Sequence, residues 1–171
     1  IEICKKLIML SKVSGADYVK IQKRNPDICV PENQKSKMRK TPWGEMTYLE
    51  YKHRLEFNEE QIKELVEYSI SLGIKFFASV WDLDSVKLMA KYTNIAKLGS
   101  ASINDLELCR ATREAFDFVI ISTGMSTEEE IDEAGFGFTP FDVLAEELIR
   151  EEIILSFDKK LCIERHYEDI M

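Results

Sequence analysis

The chain has few of the residues that punctuate or staple a fold. Among 171 residues there are 7 glycines, 4 prolines, 4 cysteines and 2 histidines. The cysteines, Cys4, Cys29, Cys109 and Cys162, lie in separate segments and never form a C-x-x-C pair. That spacing excludes a zinc ribbon and the dense disulfide framework of a small secreted domain. Buried free thiols in a reducing compartment are expected instead, and with them a cytoplasmic location. No apolar run approaches the ~20 residues that cross a bilayer. The N-terminal IEICKKLIMLSK is broken by lysines and lacks a small-residue cleavage site, so it does not read as a secretory signal. Positive charge is also scarce, with 23 Lys and Arg against 31 Asp and Glu for a net charge of −8. Nucleic acid and anionic membrane are therefore disfavoured as partners, whereas an anionic metabolite is compatible, because a few lysines in a cleft outweigh a distant negative surface. No G-x-G-x-x-G and no G-x-x-x-x-G-K-[ST] occurs, which counts against the nucleotide-binding open sheets.

What the chain does have is a helix–strand rhythm. Cys4, Leu7, Ile8 and Ser11 recur at helical spacing ahead of Gly15, and DYVKIQ (residues 17–22) reads as a strand. A helix over Glu59–Leu72 follows, with Ile62, Leu65, Val66, Ser69 and Ile70 on one face, then a strand over Lys75–Trp81. The pattern repeats as a helix over Leu83–Tyr92 and a strand over Ile95–Ser100. Ser102 with Asp105 reads as a capping box for a helix reaching Thr112, and the most apolar strand spans Phe116–Thr123. Ser126 with Glu129 caps a further short helix, and Phe141–Ile154 reads as another. Strands alternating with helices at this spacing predict βαβ units on a parallel sheet, a single domain of α/β class. Spacing alone does not separate an open sheet from a closed barrel.

One segment breaks the rhythm. Residues 24–57 hold Pro26, Pro31, Pro42 and Gly44 among many charges, with Trp43, Tyr48 and Tyr51. Its aromatic content predicts an ordered, lid-like excursion, with packing against a partner subunit the other reading.

Polar residues gather where the predicted strands end: Lys20 and Gln22 on the first, Ser79 and Asp82 on the second, Lys97, Gly99 and Ser100 on the third, and Ser122, Thr123 and Gly124 on the fourth. In parallel α/β folds the ligand sits at the carboxyl ends of the strands. Lysine supplies point charge there, and hydroxyls supply directed hydrogen bonds, a set suited to a phosphate plus a carboxylate. A lysine within a strand can also simply reach water. Two lysines at similar places on two strands, each preceded by apolar residues, favour the ligand. Thr123 reads equally as a helix cap, His53 reads as a surface residue, and His166 after LCIER has no metal pattern of its own.

The stretches ADYVKIQKRNPD, TPWGEMTYLEYKHRLEF, FFASVWDLDSV, IAKLGSASINDLELCR and VIISTGMSTEEEI, in this order over residues 1–134, together resemble the sialic acid synthase (N-acetylneuraminate synthase) family. The resemblance implies a (β/α)8 barrel of TIM type that condenses phosphoenolpyruvate with an N-acylated amino sugar of the N-acetylmannosamine type and releases phosphate. By the same resemblance Lys20 holds phosphoenolpyruvate, Gln22 lies on the sugar side, and Lys97 and Ser122 contact the phosphate. Ser79 and Ser100 lie beside substrate positions. The tail CIERHYEDI is similar to the segment that brings a metal-binding histidine to a strand end, which makes His166 the expected ligand of a divalent cation, Mn2+ or Mg2+, polarising the sugar aldehyde.

The chain also departs from that family. It begins within the helix after the first family strand, so that strand and its catalytic glutamate are not matched. The later metal motif and the antifreeze-like domain are not matched either, and residues 135–171 form an atypical tail. The expected architecture is thus an incomplete barrel of about four to six βα units, whose open edges favour association, a homo-oligomer being one form of it. Two other functions are compatible with this: a non-catalytic remnant that binds an anion or pairs with a full-length synthase, and an aldolase-type barrel in which Lys97 forms a Schiff base.

Overall fold

A computed structural model of the chain describes residues 1–136, 152–156 and 161–164. The helix–strand rhythm is realised as α1 (Glu2–Val13), β1 (Tyr18–Lys23), α5 (Glu59–Ser71), β4 (Lys75–Val80), α6 (Leu83–Met89), β5 (Ile95–Leu98), α7 (Leu106–Ala115), β6 (Phe118–Ile121) and α8 (Glu128–Phe136). Between β1 and β4 the excursion contributes α2 (Pro26–Cys29), α3 (Glu32–Lys35), β2 (Met38–Thr41), β3 (Gly44–Thr47) and α4 (Tyr48–Leu55). The main sheet runs β1-β4-β5-β6 in parallel. The fold is a partial (β/α)8-type barrel.

Two further strands, β7 (Glu152–Ser156) and β8 (Leu161–Glu164), extend the sheet antiparallel, β7 pairing Ile120 with Ile154. The helix expected over Phe141–Ile154 is therefore wrong at its end: residues 152–154 are strand, as consecutive β-branched Ile153 and Ile154 opposite a strand edge prefer. Its remaining residues, and His166, lie outside the described residues.

Strand geometry divides the sheet's side chains between two faces. Register places Val19 with Phe76, Ala78 with Ala96, and Leu98 with Ile121. These residues face the helices and form the core with Ile62 and Leu65 of α5, Val86 and Met89 of α6, and Leu108 and Cys109 of α7. Ile62, Leu65, Met89, Ala96 and Leu98 are fully buried, and each large apolar side chain so buried contributes about 1.5–3 kcal/mol.

Capping is local and legible, but two caps sit away from where the serines suggest, by three residues at α7 and by one at α8. Helix α7 is capped by Asp105, whose carboxylate accepts from Leu108 N at 3.0 Å, while Ser102 closes a 3-10 turn over Ser100–Ser102. Helix α8 is capped by Thr127 and Glu130, which exchange the reciprocal bonds expected of Ser126 and Glu129: Glu130 N donates to Thr127 Oγ1 at 3.2 Å, and Thr127 N donates to Glu130 Oε2 at 2.8 Å.

The excursion is ordered around its aromatics. The β2–β3 turn Pro42–Trp43 needs Gly44 at φ +104°, a left-handed conformation open to glycine. Trp43 and Tyr51 meet at 6.3 Å, Arg54 lies over Trp43 at 4.8 Å, and Arg39 and Lys52 lie over Tyr48 at 5.0 and 5.1 Å. Both ends are fastened to the sheet. Glu56 accepts from Lys23 Nζ at 3.2 Å and Arg24 N at 3.3 Å, and its other oxygen lies 3.0 Å from Arg24 Nε. Asp82, 5% exposed, accepts from Asn25 N at 2.6 Å, Ser85 N at 2.8 Å and Ser85 Oγ at 2.9 Å.

Cys29 Sγ also donates to this carboxylate at 3.4 Å, so removing the buried acceptor takes the partner from four donors. Asp82→Ala is expected to cost roughly 2–4 kcal/mol and to speed protease cleavage within residues 24–57. The exposed Asp84, which accepts from Asn25 Nδ2 at 3.0 Å, should give a much smaller change on Asp84→Ala. Thermal melts paired with limited proteolysis check both; equal effects would mean that Asp82 is not the anchor.

Candidate active site

The face of the sheet opposite the helices carries the polar set. Register aligns Lys20 with Phe77, Gln22 with Ser79, Ser79 with Lys97, and Lys97 with Ile120. Register-paired residues of parallel strands project to the same side, so Lys20, Gln22, Ser79 and Lys97 share one face near the carboxyl ends of their strands. Ser122 continues the parity from Ile120, and its N–H donates to Leu98 O at 3.0 Å, prolonging the β5–β6 ladder by one step. The contact that closes the group is Lys20 Nζ donating to Ser79 Oγ at 3.2 Å, across β1 and β4. Ser79 is 3% exposed, whereas Lys20 and Gln22 remain open to solvent. Half-buried Lys97 lies between fully buried Ala96 and Leu98.

Ser100 reaches the same place from the 3-10 turn after β5. A methyl group on Gly124 would lie 3.9 Å from Ser100 Oγ, so the turns following β5 and β6 are in contact there. Ser122, Thr123 and Gly124 form the second of these turns, with Thr123 buried at 4% exposure and Ser126 N donating to its carbonyl at 3.1 Å. All six expected substrate-binding residues, Lys20, Gln22, Ser79, Lys97, Ser100 and Ser122, thus come from four strand ends to one rim.

Asp82 is at the rim too, but its carboxylate is consumed by the anchor to Asn25 and Ser85. Two neighbours had no sequence signal beyond parity: Trp81, two residues after Ser79, and Arg24, two after Gln22. The Arg24 guanidinium lies over the Trp81 ring at 5.4 Å, and its Nη2 donates to Gln22 Oε1.

A divalent cation does not fit the described residues. No group of three or more His, Cys, Asp or Glu side chains among them is placed to hold one. His53, the histidine that is described, is exposed and pairs with Asp27 at 3.1 Å. The expected Mn2+ or Mg2+ therefore rests on His166, outside the described residues.

Residues 7–152 match the sequence model of the NeuB family. The chain belongs to the NeuB family. It is 31% identical over 137 residues to N,N'-diacetyllegionaminic acid synthase of Campylobacter jejuni, covering 78% of this chain and 41% of that protein. It is 33% identical over 132 residues to N-acetylneuraminate-9-phosphate synthase of Mus musculus, covering 74% of this chain and 36% of that protein. This NeuB-family chain therefore spans well under half the length of both relatives. The crystal structure of N-acetylneuraminic acid synthetase from Leptospira borgpetersenii superposes with a TM-score of 0.69 at 22% identity, over 80% of this chain and 44% of that one. That likeness establishes the barrel fold. Among the described residues no helix is long and apolar enough to cross a membrane.

Two thiols, Cys29 beside Asp82 and Cys109 in the core, are held in their protonated form. Burial first, then the hydrogen bond and charge of Asp82, push Cys29 up to about 12; burial and Asp105 push Cys109 up to about 11. Both thiols stay protonated in the folded chain at neutral pH, where the thiolate is the reactive form. Iodoacetamide at pH 8 should leave Cys29 and Cys109 unmodified in the native chain and label them after denaturation, as read by peptide mass mapping. Because both folded values lie above the ordinary thiol value of 9.0, the unfolded chain loses these protons first. This difference leaves stability unchanged below that value and lowers it as pH rises through the alkaline range.

Proposed function

We propose that this chain carries the phosphoenolpyruvate-binding part of a nonulosonate synthase, which condenses phosphoenolpyruvate with an N-acylated amino sugar of the N-acetylmannosamine type and releases phosphate. The observation that carries the reading is the convergence of Lys20, Ser79 and Lys97 on one sheet face, in a chain of the NeuB family. Phosphoenolpyruvate presents a carboxylate and a phosphate on one carbon. Two ammonium groups on neighbouring strands and a set of hydroxyls match that double anion.

The residues take distinct roles in this reading. Lys20 and Lys97 hold the anion, Ser122 and Ser100 donate to phosphate oxygens, and Gln22, further along β1, faces the sugar. The C3 carbon of phosphoenolpyruvate attacks the open-chain aldehyde carbon, whose oxygen takes up a proton. Cationic character builds at C2, water adds there, and loss of a proton with cleavage of the C2–O bond expels phosphate and leaves the keto acid. The fixed ammonium groups stabilise the charge gathering on the departing phosphate and need not reorganise as it forms. No step is assigned to a metal ion, because the described residues supply no ligand set; His166 stays assigned to the cation by resemblance.

Melting temperature against phosphoenolpyruvate concentration tests the site directly. A ligand bound only by the folded state adds about 2.7 kcal/mol at a hundred times its dissociation constant, a rise of roughly 5–10 °C for a chain of this size. The rise should saturate, and should be largely lost in Lys97→Ala and reduced in Ser100→Ala. A flat response with a cooperative melt would remove the substrate assignments, and binding without turnover would identify an anion-binding remnant. Borohydride with pyruvate should trap no adduct; a covalent adduct at Lys97 would instead establish Schiff-base chemistry.

A further inference from the structure

A buried hydrogen-bond donor without an acceptor has given up water and gained nothing in exchange. Among the described residues two side-chain nitrogens are buried without a hydrogen-bond partner, Arg24 Nε and Trp81 Nε1. Arg24 Nε lies 3.0 Å from a Glu56 carboxylate oxygen, so charge compensates it. The indole N–H of Trp81 meets no acceptor among the described residues.

Its position gives this donor meaning. β4 and β5 pair Ser79 with Lys97 and Val80 with Leu98, so the next step sets Trp81 beside Gly99, on the face that carries Ser79 and Lys97. The ring confirms that step, since a methyl group on Gly99 would sit 3.9 Å from Trp81 Cζ2. A glycine at this place leaves the indole room against the strand. The Arg24 guanidinium lies over the ring at 5.4 Å and is itself tied to Gln22 and Glu56, which restricts the ring's movement. The indole thus lies between the β1 end, with Gln22, and the β5 end, with Gly99 and Ser100.

Lys20, Lys97 and Arg24, the charged groups beside the indole, are hydrogen-bond donors without acceptor capacity, and no hydroxyl or amide oxygen of the described residues accepts from its N–H. An acceptor for the indole therefore comes most directly from a ligand, and an oxyanion is the ligand that the two ammonium groups select. Resting on the function proposed above, we propose that Trp81 is a further substrate-binding residue, whose indole N–H donates to an oxygen of bound phosphoenolpyruvate while its ring walls the site from water. Excluding water strengthens the lysine contacts beside it, because charge interactions grow as the local dielectric falls.

Trp81→Phe retains an aromatic ring over Gly99 and removes the donor. Phosphoenolpyruvate affinity, measured by calorimetry on the whole chain, should fall by about tenfold or more, as loss of a hydrogen bond to a charged acceptor does. The melting temperature of the ligand-free variant should not fall, because the deleted group is unsatisfied there. The second readout is the indole N–H resonance. The chain has 2 tryptophans, so Trp81→Phe assigns its signal; phosphoenolpyruvate should move that signal downfield and leave the Trp43 signal in place. Wild-type affinity in Trp81→Phe, or an unmoved Trp81 signal at saturation, overturns the inference. If Lys97→Ala still abolishes binding in that case, the proposed function stands without Trp81. A wild-type chain that binds no phosphoenolpyruvate overturns both.

Discussion

A residue on a parallel strand has only two directions available to it, and that two-way choice organises this molecule. On β5 the alternation is stark: Ala96 and Leu98 are fully buried against the helices, and Lys97 between them is turned to the opposite face. Burying an unpaired ammonium among Leu65, Val80 and Leu98 would cost more than the surrounding apolar contacts return. The register that buries the apolar set therefore also delivers the lysine to the rim. The same holds on β1, where Val19 and Ile21 pack against the core and Lys20 reaches Ser79. A one-residue slip of either strand would bury its polar residues and expose its apolar ones, so core packing and site assembly are specified together.

The excursion between β1 and β4 depends on that sheet for its own footing. Its aromatic cluster orders it internally, and the carboxylates of Glu56 and Asp82 join it to the strand ends, with Lys23 Nζ on Phe57 O and Cys29 Sγ on Trp81 O beside them. Glu56 gathers Lys23 and the backbone and side chain of Arg24, where the excursion leaves β1. Asp82 ties Asn25 to the first turn of α6. Arg24 is held by this clamp over Trp81, so the clamp also shapes one side of the rim. Loosening it would be felt at the site before it is felt in the core, since Ile62, Leu65 and Met89 pack without it.

Much of this was readable in the residues, for identifiable reasons. Period-two and period-3.6 patterns are imposed by burial, and the four parallel strands follow them closely. Strand-end clustering of lysines and hydroxyls follows from the same alternation. The caps differ from the serine reading, by three residues at Ser102 and one at Ser126, because Ser, Thr and Asp compete for the same position and Asp105 and Thr127 hold it here. Residues 152–154 read as helix because a short apolar run has no decisive period, and the edge of β6 settles the matter. Trp81 and Arg24 carry no signal of their own, since each looks like ordinary strand-end bulk; only pairing across strands shows that Gly99 makes room for the indole.

The acidic composition finally has to be reconciled with an anion-binding rim. Net charge of −8 acts over the whole surface, yet exposed charges are screened beyond about 8 Å at physiological salt. Many of the acids lie on helices: Glu59 and Glu60 open α5, and Glu128, Glu129 and Glu130 open α8. Among the described residues, the carboxylates of Glu56 and Asp82 near the rim are already committed, Glu56 to Lys23 and Arg24, Asp82 to backbone and hydroxyl donors. What the strand ends offer a ligand is then set by Lys20, Lys97 and the hydroxyls. Local charge at the rim can be positive in an acidic chain because its carboxylates there serve as structural acceptors, and the clamp that orders the excursion is also what withdraws negative charge from the site.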